Sequence, residues 1–274
     1  MEELVKDILR KKELKNLDET TVVEELNKFF KKNKEVKKIL EEKSFNKKSA
    51  QYKWALKEVR KKLREIYGVF IQKDYEKRES FLKKLNKNNG EEILPKLLRM
   101  HISTKERLPY YKEIYEQIFK ITGKQKIILD LACGLNPLSY NFLGYKPKYI
   151  ASDIAKKDLE FIQSFFSKNK IDGKSVKIDL VTEQKKIEKI KSDICFLFKA
   201  LDSLETRKRH ISKELIEKIT AKWIVISFSK ASLGGNRNIA KNKRSWVTNF
   251  LKKKGFLYRE FEVANEFFFV VKKD

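Results

Sequence analysis

The stretch LDLACGLNPLSYNF, residues 129–142, decides how the second half of this chain folds. It begins as an apolar run typical of a buried strand, and Gly134 and then Asn136-Pro137 interrupt the run. Glycine has no Cβ, so the backbone at Gly134 can turn tightly or let a ligand approach closely. On this stretch alone, an ordinary strand-to-helix turn and a ligand-binding loop are both possible. The surrounding sequence has to decide between them.

Short β-rich runs follow residue 125, and helix-like segments separate most of them. The runs are KIILDLAC (126–133), KYIASDI (148–154), SVKIDL (175–180), DICFLFKA (193–200), KWIVISFS (222–229), GFLYREFEV (255–263) and EFFFVVKK (266–273). This alternation predicts a parallel sheet with helices on both faces. Two residues separate the last two runs, which favours an antiparallel hairpin. We therefore predict an α/β fold of the Rossmann-like class I methyltransferase type, with a mostly parallel seven-stranded sheet and a C-terminal antiparallel hairpin.

The first part of the chain has a helical pattern. An amphipathic helix is predicted over residues 52–66, a break over residues 84–92, and a further helix after Pro109. The apolar positions of the first helix are Tyr52, Leu56, Val59, Leu63 and Ile66, and those of the last are Tyr111, Ile114, Tyr115 and Ile118. We expect a helical, basic N-terminal region over residues 1–121 and a catalytic domain over residues 122–274.

The charge of the chain is strongly positive. Its 64 Lys and Arg residues exceed its 38 Asp and Glu residues, giving a net charge of +26. Residues 31–64 hold 14 basic and 4 acidic side chains, and residues 230–254 hold 8 basic and no acidic ones. A Lys-rich solvated surface would also raise the net charge. Two concentrated patches instead favour a polyanionic partner, and a nucleic acid above all.

Other classes of protein are disfavoured by composition. The two cysteines are far apart and the two histidines are few, so neither a disulfide framework nor a common metal site is indicated. No apolar stretch has membrane-spanning length, and the N-terminal segment lacks the apolar core of a signal peptide. We expect a cytoplasmic protein without a metal or a membrane contact, acting as a monomer.

Residues suited to a nucleoside-bearing ligand follow the first three predicted strands. Ala132, Gly134 and Asn136 occupy the glycine positions of a dinucleotide fingerprint, which alone is a weak signal. Asp153 ends the second run, where an acidic side chain can accept hydrogen bonds from ribose hydroxyls. Asp179-Leu180 ends the third run and could flank an adenine. Because ligands of open α/β sheets bind beyond the carboxyl ends of the strands, the three positions favour the ligand-binding alternative.

Five segments together resemble one enzyme family. They are HISTKERLPYYKEIYEQIF (101–119), LDLACGLNPLSY (129–140), ASDI (151–154), FLFKALDSLE (196–205) and ISFSKASLGG (226–235). The sequences of these segments and their order along the chain resemble those of the aminoglycoside-resistance 16S rRNA guanine-N7 methyltransferases, over about residues 95–273. The resemblance implies S-adenosylmethionine as methyl donor, the assembled small ribosomal subunit as substrate, and a guanine of the aminoglycoside-binding decoding site as target.

The resemblance also implies roles for single residues. Arg107 would hold the methionine carboxylate of the donor, although an ion pair with a neighbouring Glu is an alternative. The other donor-binding residues implied are Ala132, Gly134, Asn136, Pro137, Asp153, Ile154, Asp179, Leu180 and Phe198, of which Phe198 could equally be a core residue. Lys199 and Lys230 would position the target. The residues expected to contact RNA are the hydroxyl residue Ser232 and the basic residues Lys53, Lys57, Arg60, Lys61, Arg64, Arg237, Lys241, Lys243 and Arg244.

The chemistry needs no general base, because guanine N7 already carries an in-plane lone pair. The enzyme has to align N7 with the methyl group and tolerate positive charge on the base. Bidentate Arg contact with O6 and N7 would block the reacting atom, so we expect recognition of a flipped base by stacking and by its other edge.

One segment departs from the family pattern. After Ser-Leu-Gly-Gly the family carries a basic-Gly-Met segment, whereas this chain has NRNIAKNKRSW (236–246). The acceptor could therefore be another rRNA or tRNA base, such as adenine N1. A non-catalytic RNA-binding assembly factor is the alternative from a different class. Antibiotic resistance and housekeeping modification are both compatible with these residues.

Overall fold

The computed structural model describes residues 1–86, 88–230 and 244–273. By its internal contacts the chain forms two compact units. The helical unit comprises residues 1–71 and 154–157, and the sheet unit comprises residues 72–153 and 158–274. The sequence pattern favours a boundary near residue 121, whereas the helices between residues 72 and 122 cluster with the sheet. No helix in the described part of the chain has the length and apolarity needed to cross a membrane.

The helical unit has its own apolar core. Its helices are α1 (Glu2–Leu9), α2 (Glu19–Lys32), α3 (Lys34–Glu42) and α4 (Ala50–Ile66), followed by a 3-10 turn, Gly68–Phe70. Helix α4 is the predicted amphipathic helix. The Ser49 hydroxyl accepts a hydrogen bond from the backbone N–H of Tyr52 at 3.2 Å and caps its N-terminus. Tyr52 and Leu63 of α4 are fully buried in the core of the unit.

The sheet unit begins with helices and 3-10 segments. These are a 3-10 turn at Tyr75–Lys77, α5 (Arg78–Lys84), α6 (Gly90–Leu98), α7 (Ile102–Arg107), a 3-10 turn at Leu108–Tyr110, and α8 (Tyr111–Thr122). The remaining helices are α9 (Lys156–Lys168), α10 (Lys185–Glu188), α11 (Leu201–Arg207), α12 (Ile211–Lys218) and α13 (Ser245–Lys253), with a 3-10 segment at Asn136–Leu143. The first two residues of α9, Lys156 and Lys157, belong to the helical unit.

Seven strands form one mixed sheet. They are β1 (Ile127–Leu131), β2 (Lys148–Asp153), β3 (Gly173–Lys177), β4 (Ile194–Phe198), β5 (Trp223–Ser229), β6 (Leu257–Val263) and β7 (Glu266–Lys272). The strand order is β3-β2-β1-β4-β5-β7-β6. Strands β1 to β5 are parallel, and β7 is antiparallel to both β5 and β6. The predicted fold, with its C-terminal hairpin, is confirmed.

The third strand differs from its predicted extent. It spans Gly173–Lys177 instead of residues 175–180, so Asp179 lies beyond its end. The Asp179 side chain accepts a hydrogen bond from the backbone N–H of Val181 at 2.8 Å, and its carbonyl accepts one from the N–H of Glu183 at 2.8 Å. These bonds turn the chain away from the sheet and end the strand, as aspartates at turn starts commonly do.

Candidate functional site

The strand order reverses between β1 and β4, so the carboxyl ends of these neighbours form the switch point of the sheet. Ligands of open α/β sheets bind in the crevice at that point. The residue after each strand adopts a left-handed backbone, with φ of +51° at Ala132 and +53° at Lys199. Such backbone is costly for residues other than glycine and clusters at ligand clamps and active sites. The geometry therefore places the candidate site at this edge.

The loop after β1 is fastened to the end of β2. The backbone N–H of Cys133 donates to the Ser152 carbonyl at 3.0 Å, and the backbone N–H of Gly134 donates to Asp153 Oδ2 at 2.9 Å. Asp153 is half-buried. The predicted ribose-binding carboxylate and the predicted glycine loop are thus brought together by a direct bond.

His101 explains why residue 134 is a glycine. Gly134 has a φ of +50°, and a Cβ added there would lie 2.8 Å from His101 Nε2. The close neighbour of the glycine is therefore a side chain of the protein itself. Burial of the ring, together with the nearby positive charges of Arg107 and Lys199, lowers the pKa of His101 to about 3. His101 is neutral at physiological pH and can pack against the loop without bringing a charge.

Asn136 supports the same loop from the interior. Its Nδ2 donates to Asp130 Oδ2 at 2.9 Å, and its Oδ1 accepts from the Tyr111 hydroxyl at 3.0 Å. The Tyr149 hydroxyl also donates to Asp130 Oδ2, at 2.6 Å. Burial raises the pKa of Asp130 to about 6, against the two hydrogen bonds that lower it. Pro137 follows inside the buried 3-10 segment. Helix α8, β1 and β2 together fix the loop.

Arg107 forms a buried ion pair with Glu266, the first residue of β7. Its Nε donates to both carboxylate oxygens at 3.1 and 3.0 Å, and its Nη2 donates to Oε1 at 2.9 Å. The Ser227 hydroxyl donates to the same carboxylate. Burial raises the pKa of Glu266, but Arg107 and Lys199 outweigh burial and hold that pKa below its ordinary value. This pair matches the alternative that the sequence left open, with a partner distant in sequence instead of a neighbouring Glu.

Lys199 is held by two carboxylates. Its Nζ lies 2.6 Å from Glu106 Oε2 and 3.3 Å from Glu266 Oε2. Its backbone N–H donates to Ser227, with 3.1 Å to the carbonyl oxygen and 3.1 Å to the hydroxyl. The left-handed residue after β4 is therefore fixed at both its backbone and its ammonium.

Three predicted donor-binding residues lie in apolar cores. Phe198 is buried, stacks on Phe196 with ring centroids 4.8 Å apart, and lies beneath the Arg107 guanidinium at 4.8 Å. Leu180 belongs to the core of the sheet unit. Ile154 packs against the core of the helical unit. Phe198 thereby contacts another predicted site residue, Arg107.

Asp179 is engaged by Arg207. The Nη1 of Arg207 donates to Oδ1 at 2.7 Å and its Nη2 donates to Oδ2 at 2.6 Å. The aspartate is buried, so the bidentate pair compensates its charge inside the fold. The pair joins α11 to the turn after β3.

The basic residues of α4 fall into two groups. Lys53, Lys57, Lys61 and Arg64 are exposed, and none forms an ion pair within the described residues. Arg60 is half-buried and its Nη2 donates to the Asp7 carbonyl inside the helical unit. Four of the five predicted contacts on this helix therefore face solvent.

The second basic patch is only partly described. Lys230 Nζ lies 3.0 Å from Glu262 Oε2 and 5.3 Å from the centre of the Phe267 ring. Arg244 Nη2 lies 2.6 Å from Asp202 Oδ2, and its guanidinium covers the Phe228 ring at 4.7 Å. The other predicted contacts lie outside the described residues; they are Ser232, Arg237, Lys241 and Lys243.

Sequence reasoning missed the partners of the charged site residues. They are Glu106, Asp130, Arg207 and Glu266. Glu106 lies inside the Ser-Thr-x-Glu-Arg motif and Asp130 inside the first strand, so the motifs contained a signal for both. Glu266 is an acidic residue next to an apolar run, which is a weak signal for a buried ion pair. Within the described ranges, no three His, Cys, Asp or Glu side chains form a group that could hold a metal ion.

Two known proteins are similar in sequence to most of this chain. The 16S rRNA (guanine(1405)-N(7))-methyltransferase of Frankia casuarinae is 26% identical over 229 residues, which cover 80% of this chain and 80% of that protein. The enzyme of the same name from Micromonospora echinospora is 28% identical over 229 residues, covering 80% and 82%.

Solved structures show the same fold. The 16S rRNA methyltransferase RmtF, in complex with S-adenosyl-L-homocysteine, superposes with a TM-score of 0.80 at 23% identity, covering 100% of this chain and 98% of that one. The family model described as ribosomal RNA methyltransferase (FmrO) matches residues 32–271, most of the chain. The resemblance stated from the motifs is confirmed, and the chain belongs to the FmrO family of ribosomal RNA methyltransferases.

Proposed function

We propose that this protein transfers the methyl group of S-adenosylmethionine to N7 of a guanine in 16S-type rRNA, within the assembled small subunit near the aminoglycoside-binding decoding site. The observation that carries the proposal is the similarity of 80% of the chain to enzymes named for guanine N7 of 16S rRNA. The protein would act as a monomer in the cytoplasm, where small subunits are.

The residues around the switch point fit a donor that carries a nucleoside. Asp153 presents a half-buried carboxylate at the end of β2, where ribose hydroxyls can donate to it. The Gly134 N–H holds that carboxylate at 2.9 Å. When bound, the donor would supply an electrophilic methyl group on a sulfonium. Asp153 and the loop from Ala132 to Asn136 would orient it, with Pro137 closing the loop.

Arg107 would contribute at the other end of the donor. Its guanidinium has five N–H donors, and the hydrogen bonds to Glu266 use its Nε and one side of Nη2. The ion pair fixes the plane of the guanidinium against Phe198. Arg107 is therefore proposed as a preoriented partner for the methionine carboxylate. Asp179 and Leu180 are proposed at the adenine end, with Asp179 held by Arg207.

On the acceptor side, the enzyme has to align guanine N7 with the methyl group of the donor. Methyl transfer places positive charge on the guanine, so a nearby uncompensated cation would oppose the transition state. Glu106 and Glu266 neutralise the Lys199 ammonium at 2.6 and 3.3 Å. Lys199 is thus proposed to position the base without adding net positive charge. Lys230, paired with Glu262, is the second proposed positioning residue.

Phosphate contacts would come from the helical unit. Exposed Lys53, Lys57, Lys61 and Arg64 offer cations that no acidic side chain of the described structure neutralises. Phosphate contacts supply sequence-independent affinity and make it depend on salt. The second basic segment, with Arg244, would add contacts closer to the target.

The test is to incubate the enzyme and donor with purified bacterial small subunits and to map methylated nucleotides by primer extension and mass spectrometry. We expect one N7-methylguanine at the decoding site, with Asp153→Ala as the inactive control. Naked 16S rRNA should be a poorer acceptor than intact subunits. Methylation of a different base would replace guanine N7 as the target, and binding without methylation would favour the assembly-factor alternative.

A further inference from the structure

Trp54 of α4 is an exposed aromatic side chain in the most basic part of the chain. Its relative exposure is 42%, whereas Tyr52, two residues earlier, is 2% exposed. Within residues 1–71, the exposed large hydrophobic side chains are Trp54 and Met1. An indole that stays partly in water can gain hydrophobic free energy from a contact that covers it.

The indole shares one side of α4 with two lysines. Lys57 and Lys61 follow Trp54 at three and seven residues, a spacing that places side chains on the same helix face. Both are exposed and lack an ion pair within the described residues. The Trp54 ring contacts Phe29 edge-on, with centroids 5.1 Å apart at 67°. Phe29 therefore supports the ring while leaving much of it accessible.

We propose that Trp54 stacks on an unpaired rRNA base of the small subunit while Lys57 and Lys61 contact neighbouring phosphates. The proposal rests on the function proposed above, from which the polyanionic partner follows. Aromatic platforms flanked by cations are the arrangement with which proteins bind unpaired nucleotides. A membrane surface fits less well, because membrane-lying helices expose an apolar face. In α4 that face, from Tyr52 to Leu63, is buried in the core of its own unit.

Stacking and phosphate contacts differ in their dependence on salt, and the test uses that difference. Binding of the full-length protein to purified bacterial small subunits is measured across a salt series for Trp54→Ala, Trp54→Phe and the double variant Lys57→Gln/Lys61→Gln. The matched control is Leu257→Ala, which removes an exposed apolar side chain of 64% exposure from the sheet unit. Thermal unfolding of each variant verifies its fold.

We expect Trp54→Ala to weaken binding about tenfold with an unchanged log–log salt slope. Trp54→Phe keeps a stacking face and should stay within about threefold of the wild type. The lysine variant should flatten the slope by roughly 0.7–0.9 for each lost phosphate contact. The fluorescence of Trp54, obtained by subtracting the emission of Trp54→Phe from that of the wild type, should be quenched on binding.

Wild-type affinity in Trp54→Ala, an equal loss in Leu257→Ala, or a flattened slope in Trp54→Ala would overturn the proposal. Methylation is measured separately at saturating subunit. A wild type that binds through Trp54 but transfers no methyl group would refute the proposed function and leave the stacking contact standing. A wild type that does not bind subunits would refute both.

Discussion

Replacing Gly134 by alanine tests the packing of the donor loop most directly. The left-handed φ of +50° costs a residue with a Cβ about 1–2 kcal/mol. The new Cβ would also lie 2.8 Å from His101 Nε2 and 3.0 Å from its Cε1. Overpacking of this kind costs about 1–3 kcal/mol. We expect Gly134→Ala to lose about 2–5 kcal/mol of unfolding free energy, the sum of the two effects.

A variant at a second glycine distinguishes the cost of backbone strain from the cost of steric overlap. Gly144 has a φ of +72°, and a Cβ added there meets nothing within 4 Å. Gly144→Ala should therefore show the backbone cost of about 1–2 kcal/mol alone. Removing the imidazole should relieve the overlap in Gly134→Ala but have no such effect in Gly144→Ala. In the cycle with His101→Ala, the double variant should be more stable than additivity predicts, by about 1–3 kcal/mol.

Urea denaturation gives these free energies of unfolding. Calorimetry with S-adenosyl-L-homocysteine measures how well the loop binds this ligand. Because the Gly134 N–H holds Asp153, Gly134→Ala should also weaken binding of this ligand. Additive effects of Gly134→Ala and His101→Ala, or equal costs at Gly134 and Gly144, would show that His101 does not confine the loop. The reasoning would then be wrong, and the glycine would have to be explained by strain alone.

Four further predictions concern the same edge of the sheet. Asp153→Ala should weaken binding of the methyl donor by about 1–3 kcal/mol, and an unchanged calorimetric affinity in a folded variant would remove Asp153 from the site. Burial depresses the folded pKa of His101 to about 3. The stability that the neutral ring contributes is thus fully present above pH 6.5, and acidification below that pH removes it by about 1.4 kcal/mol per pH unit. The wild type should therefore lose unfolding free energy faster than His101→Asn as the pH falls. Parallel plots of unfolding free energy against pH for the two proteins would contradict this. Arg107→Ala should cost about 3–5 kcal/mol, because the buried Glu266 carboxylate loses the guanidinium and keeps only Ser227 and Lys199 as partners among the described residues. Adding Glu266→Ala should recover part of the loss in urea denaturation. Lys199→Ala should lower the single-turnover rate at saturating subunit more than it lowers subunit affinity, and the reverse pattern would argue against a positioning role.

The fold was predictable because it depends on patterns that repeat along the chain. Seven apolar runs with helical segments between them indicated the sheet, and the short connection before β7 indicated its antiparallel hairpin. The end of β3 was missed because Asp179 was interpreted as a strand residue, whereas its side chain bonds the N–H of Val181 and starts a turn. Here a side chain takes a backbone hydrogen bond that strand pairing would otherwise use, and hydrophobic periodicity does not reveal this competition. The boundary between units depends on long-range contacts, which sequence pattern does not report.

The sequence motifs give the positions of the candidate site residues along the chain but not the partners of those residues. The motifs placed Arg107, Gly134 and Asp153 at one edge, and the structure has all three within the sheet unit at that edge. Glu266 lies 159 residues from Arg107, so nothing local in the sequence joins them. Only the pairing of β7 with β5, which sets Glu266 opposite Ser229, brings the carboxylate to the switch point.

The two strained residues fix the direction in which the chain leaves β1 and β4. The N–H of Cys133, which follows left-handed Ala132, donates to Ser152 on β2 at 3.0 Å. The N–H of left-handed Lys199 donates to Ser227 on β5 at 3.1 Å. Each chain therefore turns away from the other and bonds to the strand on its outer side. The backbone cost of the two residues, about 1–3 kcal/mol each, is offset by those bonds.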